Sequence, residues 1–289
     1  MTTIGIIGGS GIYELDGLEN VREVEVETPF GNPSDKLVTG ELGGTNLVFL
    51  PRHGRGHRLL PSEVPYQANI FALKKLGVDT VISVSAVGSM KEEIEPGHFL
   101  IPNQYIDRTM GRRQTFFGQG IVAHVSAANP VCPSLAAHLA DFVKSCDVIC
   151  HTSGTYICME GPAFSTRGES LMYRQWGVDI IGMTAMPEAK LAREAELHYA
   201  TLALVTDYDC WHESHEDVSV DAVVATLKKN TSNVKRVLEY ALPKLGEKMQ
   251  ASTTCECPSA LANAVMTSPE AIPAERKTAL APLVNKYFS

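Results

Sequence analysis

The sequence predicts an α/β fold in which helices cover both faces of a central β-sheet, a three-layer αβα arrangement, and three observations carry that reading. Short apolar runs alternate with helical patterns from end to end. Several runs, such as Ile4–Ile7 and Thr201–Thr206, are rich in Val, Ile and Leu without polar alternation, as in strands buried on both faces. The chain of 289 residues is long enough for a large core, and no repeat or early linker divides it. Residues 1–289 therefore read as one domain, with 243–289 as a helical tail extension.

In chain order, strands are expected at Ile4–Ile7, Glu23–Glu27, Asn46–Leu50, Thr80–Ser85, His98–Ile101, Thr155–Met159, Asp179–Met183 and Thr201–Thr206. Helical spacing places helices at Tyr66–Leu76, Ser134–Lys144, Arg167–Gln175, Pro187–Glu196 and Asp221–Leu242. Pro187 suits a first turn, where its missing N–H costs nothing. Two short helices are expected at Ser259–Met266 and Pro273–Lys286, and Gln250–Pro258 reads as a flexible connector.

Composition excludes several classes of protein. With 25 basic and 33 acidic side chains the net charge is −8, so no broad nucleic-acid face is expected, and any phosphate must meet a few local cations. Met1–Ile4 carries no basic region ahead of the apolar run, which predicts a cytoplasmic protein. Residues 114–140 hold no Asp, Glu, Lys or Arg, but Pro130, Pro133, His124, His138 and Asn129 make the stretch too polar and broken for a membrane span. Seven cysteines include no pair of C-x-x-C knuckles, so no metal site is expected; only Cys255-Glu256-Cys257 stands out.

Five strings end strands or follow them closely. Gly8-Gly9-Ser10-Gly11 fits neither dinucleotide spacing nor a P-loop, leaving a tight turn or a single-anion cradle of N–H groups and the Ser10 hydroxyl. Pro51–His57 concentrates Arg52, His53, Arg55 and His57 after a strand, as a solvated loop or as the local positive charge for an anion. Ser83–Ser89 offers hydroxyls and small residues that permit close approach to the backbone, and Glu160–Phe164 ends in an aromatic that on its own reads as core. In Thr206-Asp207-Tyr208-Asp209 two carboxylates lie two apart, on one side if the segment is extended. Mutual repulsion would then keep one protonated as an acid.

Nine strings in order carry a resemblance: Gly8–Gly11, Thr28–Ser34, Arg52–Gly54, Tyr66–Asn69, Ser85–Ser89, Asp107–Thr109, Glu160–Phe164, Gly182–Thr184 and Thr206–Trp211. Together they resemble the S-methyl-5'-thioadenosine phosphorylases of the purine nucleoside phosphorylase superfamily, over roughly Ile4 to Leu242. The resemblance implies a purine nucleoside phosphorylase-like fold with a mixed sheet. It implies phosphorolysis of 5'-methylthioadenosine to adenine and 5-methylthioribose 1-phosphate, with inorganic phosphate as co-substrate and no cofactor or metal.

By the same resemblance, Ser10, Arg52, His53, Ser85, the Ala86 backbone and Thr184 would hold phosphate. Met183 would lie against the ribose and Phe164 on the nucleoside; Asp207 would hydrogen-bond or protonate N7, and Asp209 would accept from the 6-amino group. Val220 and Val223 would line a methylthio slot closed by His124 of a neighbouring subunit, which implies a homotrimer or a dimer of trimers. Gly182 departs from the asparagine of many members, and Cys255-x-Cys257 is similar to the tail of some heat-stable relatives; free thiols are expected. Two other readings stay open: a phosphorylase of 6-oxopurine nucleosides or methylthioinosine, against which both aspartates speak, and a non-catalytic nucleoside sensor.

Overall fold

A computed structural model describes residues 2–9, 12, 14–212, 220–251 and 255–288, with the side chains of 220–225 and 227 outside the description. Its strands are β1 (Thr3–Gly8), β2 (Glu19–Val24), β3 (Leu37–Leu42), β4 (Thr45–Pro51), β5 (Thr80–Ser89), β6 (Phe99–Leu100), β7 (Gln104–Arg108), β8 (Cys150–His151), β9 (Thr155–Met159), β10 (Ile180–Gly182) and β11 (His198–Asp207). Its helices are α1 (Tyr66–Lys75), α2 (Pro133–Ser145), α3 (Arg167–Gln175), α4 (Ala185–Glu194), α5 (Val220–Ala251), α6 (Ala274–Ala279) and α7 (Ala281–Val284).

All the strands join one mixed sheet, and β5 is its hub. β1 and β11 run parallel to β5, whereas β10 pairs antiparallel with its last residues, Gly88 and Ser89. Side chains alternate across this sheet, and two apolar layers result. Ile4, Ile6, Ile82, Val84, Leu202 and Leu204 pack with α2 and α5. Ile7, Val81, Ala203 and Val205 pack with α1 and α4 on the opposite face. This is the expected three-layer αβα core.

Several expected boundaries are corrected. Glu23–Glu27 gives way to β2, an exposed edge strand pairing with β3, which pattern reading missed. Gly43 and Gly44, with φ of 54° and 79°, turn β3 into β4. A Cβ at Gly43 would stand 2.7 Å from the Pro243 side chain, so the bare glycine lets α5 pass close by. That helix continues through Pro243 to Ala251, beyond the expected stop at Leu242.

The tail differs most. Ser259–Met266 is not a helix: a 3-10 turn at Cys257–Ser259 leads into a segment that pairs with residues 122–124. His124 N–H donates to the Ala264 carbonyl and Met266 N–H to that of Val122, each at 2.8 Å. Leu261 N–H donates to the Glu196 carboxylate at 2.9 Å, and Tyr287 and Lys286 meet the same side chain. These tertiary partners override the short helix. Pro273–Lys286 is split between α6 and α7, and the supposed flexible connector has Gln250 and Ala251 within α5 and Cys257 buried. Among the described residues, no helix is long and apolar enough to cross a membrane.

Candidate active site

The C-terminal ends of β1, β4 and β5 open along one edge of the sheet, where ligands of α/β folds gather. Arg52 N–H donates to the Gly8 carbonyl at 2.9 Å, fixing the basic loop beside the glycine turn. Gly9 is exposed, and a Cβ there would meet nothing within 4 Å. Ser10 lies outside the described residues. On β5, Ser85 is buried while Ala86 is exposed within an otherwise buried run, which opens its backbone to the edge. β10 runs up to the same end of β5 and delivers Gly182, Met183 and buried Thr184, the residue before α4, whose hydroxyl caps no helical N–H.

Arg52 is more committed than a free fork would be. Its Nε and Nη2 clamp the Glu188 carboxylate at 2.7 and 3.1 Å, Nη2 also reaches Ser83 Oγ at 2.7 Å, and Nη1 reaches the Val84 carbonyl at 3.0 Å. Both partners are buried. Burial alone would lower the guanidinium pKa, but Glu188 more than offsets it. Glu188 also accepts from Ser83 Oγ and from the Tyr199 hydroxyl. Arg52 therefore organises the loop and β5, with Nε and Nη2 engaged by Glu188 and Ser83 and Nη1 by the Val84 carbonyl.

His53 is held neutral. Burial, then the charge of Arg52, lowers its pKa to about 4. Its Nδ1 lies 2.8 Å from the Leu59 carbonyl, and its ring stacks on His57 with centroids 4.3 Å apart. A neutral imidazole donating through Nδ1 presents Nε2 as an acceptor, suited to the hydroxyl of a phosphate rather than to its charge.

The two aspartates meet by a different route from the one expected. β11 ends at Asp207, and a register shift between Val205 and Asp207 sets that residue opposite Gly88. A Cβ on Gly88 would lie 2.8 Å from Asp207 Oδ1, so glycine is what admits the carboxylate. Asp209 is not in the strand but in a 3-10 turn, with φ of 51°, and its N–H donates to Asp207 Oδ1 at 2.9 Å. A left-handed non-glycine residue stores strain that only a specific local constellation sustains. Burial raises the pKa of both carboxyls; hydrogen bonds from Thr206 and Asp209 oppose it at Asp207, and the neighbouring Asp207 charge adds to it at Asp209.

Phe164 is 44% exposed, which overturns its reading in isolation as a core aromatic and leaves its face free for stacking. Met183 is half-buried, and a Cβ on Gly161 would stand 2.5 Å from its sulfur. Sequence reasoning missed Arg112, which donates to the Tyr66 hydroxyl, the Met183 and Met186 carbonyls and Glu160 and so pins both loops. It also missed Tyr156, whose phenol occupies the place a side chain at Gly182 would take. Among the described residues, neither the Tyr156 hydroxyl nor Ser85 Oγ has a hydrogen-bond partner, though both are buried. Val220 and Val223 fall in the first turns of α5, with side chains outside the description. His124 is exposed on the strip paired with the tail.

Residues 3–243 match the model of the phosphorylase superfamily. The S-methyl-5'-thioadenosine phosphorylase of Geobacter sulfurreducens is 58% identical over 285 residues, covering 98% of each chain, and that of Koribacter versatilis is 53% identical, covering 99% of this chain and 96% of its own. The chain belongs to the S-methyl-5'-thioadenosine phosphorylases. A methylthioadenosine phosphorylase from an antarctic soil metagenomic library superposes with a TM-score of 0.91 at 52% identity, covering 98% of this chain and 99% of its own. A mutant of the Schistosoma mansoni adenosine/methylthioadenosine phosphorylase, in complex with methylthioadenosine, gives 0.81 at 37% identity over 87% of this chain and 96% of its own. Membership accounts for the clustering of hydroxyls, histidine and acids at one sheet edge in a family of phosphorylases.

Proposed function

We propose that the chain is a cytoplasmic salvage enzyme that converts 5'-methylthioadenosine and phosphate to adenine and 5-methylthioribose 1-phosphate. The observation that carries this reading is the pair of half-buried Asp207 and buried Asp209, both raised in pKa, at the strand ends where Ser85 of β5 has a hydroxyl without a hydrogen-bond partner among the described residues. Phosphate oxygen attacks C1', the C1'–N9 bond breaks, and its electron pair goes to the purine. The Asp207 carboxyl donates a proton to N7 so that adenine leaves neutral, while Asp209 accepts from the 6-amino group. Ser10, Ser85, Thr184, the Ala86 N–H and the second Nη1 hydrogen of Arg52 hold the phosphate, and His53 Nε2 accepts its hydroxyl hydrogen. Positioning of this kind and charge neutralisation supply most of the rate. Met183 and Phe164 pack against ribose and base.

Comparing methylthioadenosine, adenosine and inosine with and without phosphate tests the reading. Phosphate-dependent release of adenine, fastest from methylthioadenosine, is expected; hydrolysis without phosphate, or preference for inosine, would overturn it. Absence of all turnover would favour the sensor.

Tyr156 belongs to the same phosphate group. The Ser85 and Thr184 hydroxyls and Arg52 lie near enough to lower its phenol pKa against a larger upward push from burial. Tyr156→Phe is expected to raise KM for phosphate several-fold, because a charge-assisted bond contributes about 1.5–3 kcal/mol. Thermal stability should be unchanged or higher, since a buried hydroxyl without a partner is removed. An unchanged phosphate KM would remove Tyr156 from the site.

The methylthio slot requires Val220 and Val223 from one subunit and His124 from the next, so the working assembly is a homotrimer or two such rings. The exposure of His124 and the backbone pairing of its strip with the tail support that arrangement. Light scattering of the active enzyme is expected to give a multiple of three chains, and a fully active monomer would end the shared-slot role.

A further inference from the structure

Three segments that are distant in sequence converge at the start of β11, at the opposite end of that strand from Asp207. His198 opens the strand, held by its N–H to the Asp79 carbonyl at 2.8 Å. Cys132 stands just before α2, and its N–H donates to the Tyr199 carbonyl at 2.8 Å. Cys255 and Cys257 arrive on the chain after α5. Cys132 Sγ and Cys255 Sγ lie 3.3 and 3.2 Å from His198 Nδ1, and all four donor atoms fall within 4.8 Å of one another.

We propose that Cys132, His198, Cys255 and Cys257 form a structural zinc site that clips the C-terminal tail to the body of the protein. A tetrahedral ion with bonds of about 2.3 Å to sulfur and 2.0–2.1 Å to nitrogen sets sulfur–nitrogen edges near 3.6 Å and sulfur–sulfur edges near 3.8 Å. The two sulfur–nitrogen separations to His198, 3.3 and 3.2 Å, need only a small outward adjustment, and all four donor atoms lie within 4.8 Å of one another. Three sulfurs and one imidazole select zinc over magnesium or calcium, which take oxygen ligands. The protein supplies four ligands, so no position is left for a reacting water, as in closed structural sites. About nine strand steps of 3.3 Å, roughly 30 Å, separate His198 from Asp207 and keep this ion out of catalysis.

Competing disulfide chemistry fits less well. One bridge among three thiols leaves the third unpaired and gives His198 no part, whereas zinc engages every member. Binding releases three thiol protons and involves no electron transfer, leaving a Zn(Cys)₃His centre of one net negative charge. Arg193 Nη1, 3.6 Å from Cys257 Sγ, offsets that charge. The expectation that the chain contains no metal-ligand set is corrected by this convergence: the knuckles are absent because the ligands come from three places in the fold. The tail that follows Cys257 is the one paired with Val122 and His124, so the clip also steadies the proposed subunit border.

Metal analysis of the full-length enzyme, prepared with excess zinc and reductant and then dialysed, tests the site. One zinc per chain is expected, with Cys132, Cys255 and Cys257 shielded from thiol reagents until the metal is removed. Cys255→Ser, at a half-exposed position, should lower bound zinc at least tenfold while leaving kcat for adenine release in the trimer unchanged. Cobalt loaded in place of zinc should give the absorption of a tetrahedral thiolate complex, which does not depend on any variant folding. Zinc below a tenth of an equivalent with freely reactive thiols, or a disulfide among the three cysteines in the zinc-treated protein, would overturn the proposal.

Discussion

Asp207→Asn is expected to lower kcat for adenine release from methylthioadenosine by about 10²–10⁴-fold, the span typical of a lost general acid. The amide cannot release a proton to N7, and its donating face suits a 6-oxopurine better than adenine. Activity toward inosine should therefore rise relative to methylthioadenosine. Fold should survive, because the Asn oxygen can keep the Asp209 N–H, 2.9 Å from Asp207 Oδ1, while the amide N–H that replaces Oδ2 can donate to the Thr206 hydroxyl, whose own hydrogen still reaches the Val87 carbonyl. Steady-state kinetics with both nucleosides at saturating phosphate decides it: full methylthioadenosine turnover by this variant would falsify the acid role.

Arg52→Ala is expected to destabilise the protein by about 3–5 kcal/mol, as when one member of a buried ion pair is removed. Glu188 would be left buried with hydrogen bonds from Ser83 and Tyr199 but no cation. Denaturant unfolding is the measurement, and a loss under about 1 kcal/mol, the range of exposed pairs, would mean that the clamp is weak in solution. KM for phosphate should rise more than KM for nucleoside in whatever fraction remains folded, since the remaining Nη1 hydrogen faces one substrate only. Equal effects on both would count against the basic loop as a phosphate site.

Much of this architecture is legible in the sequence because buried strands such as Thr80–Ser85 and Thr201–Thr206 declare themselves by composition, and the site strings sit at their ends. Missed elements fail for identifiable reasons. β3 is partly exposed and interrupted by Gly40, although the Gly43-Gly44 turn after it was a readable hairpin cue. The tail follows tertiary partners, Glu196 and residues 122–124, that no local pattern reveals. Within the site, Arg52 and the aspartates could be named from spacing. What Arg52 holds could not, because Glu188 is 136 residues away in the chain. Asp209 illustrates the same limit, since alternation predicted shared direction while a left-handed turn produces the proximity.

Gly182 and Tyr156 constrain how such a pocket can change over generations. A Cβ at 182 would fall on the phenol, with Cζ only 2.7 Å away, so any larger residue there collides with the ring while tyrosine remains. Shrinking Tyr156 first instead opens a cavity in a closed core, at a cost of about 3–5 kcal/mol for loss of an aromatic. Each single step is harmful, and only the pair exchanged together restores a filled space. Gly182→Asn and a shrinking change at Tyr156 should therefore show strongly non-additive effects, each harmful alone and less so together, which makes the two positions hard to change one at a time.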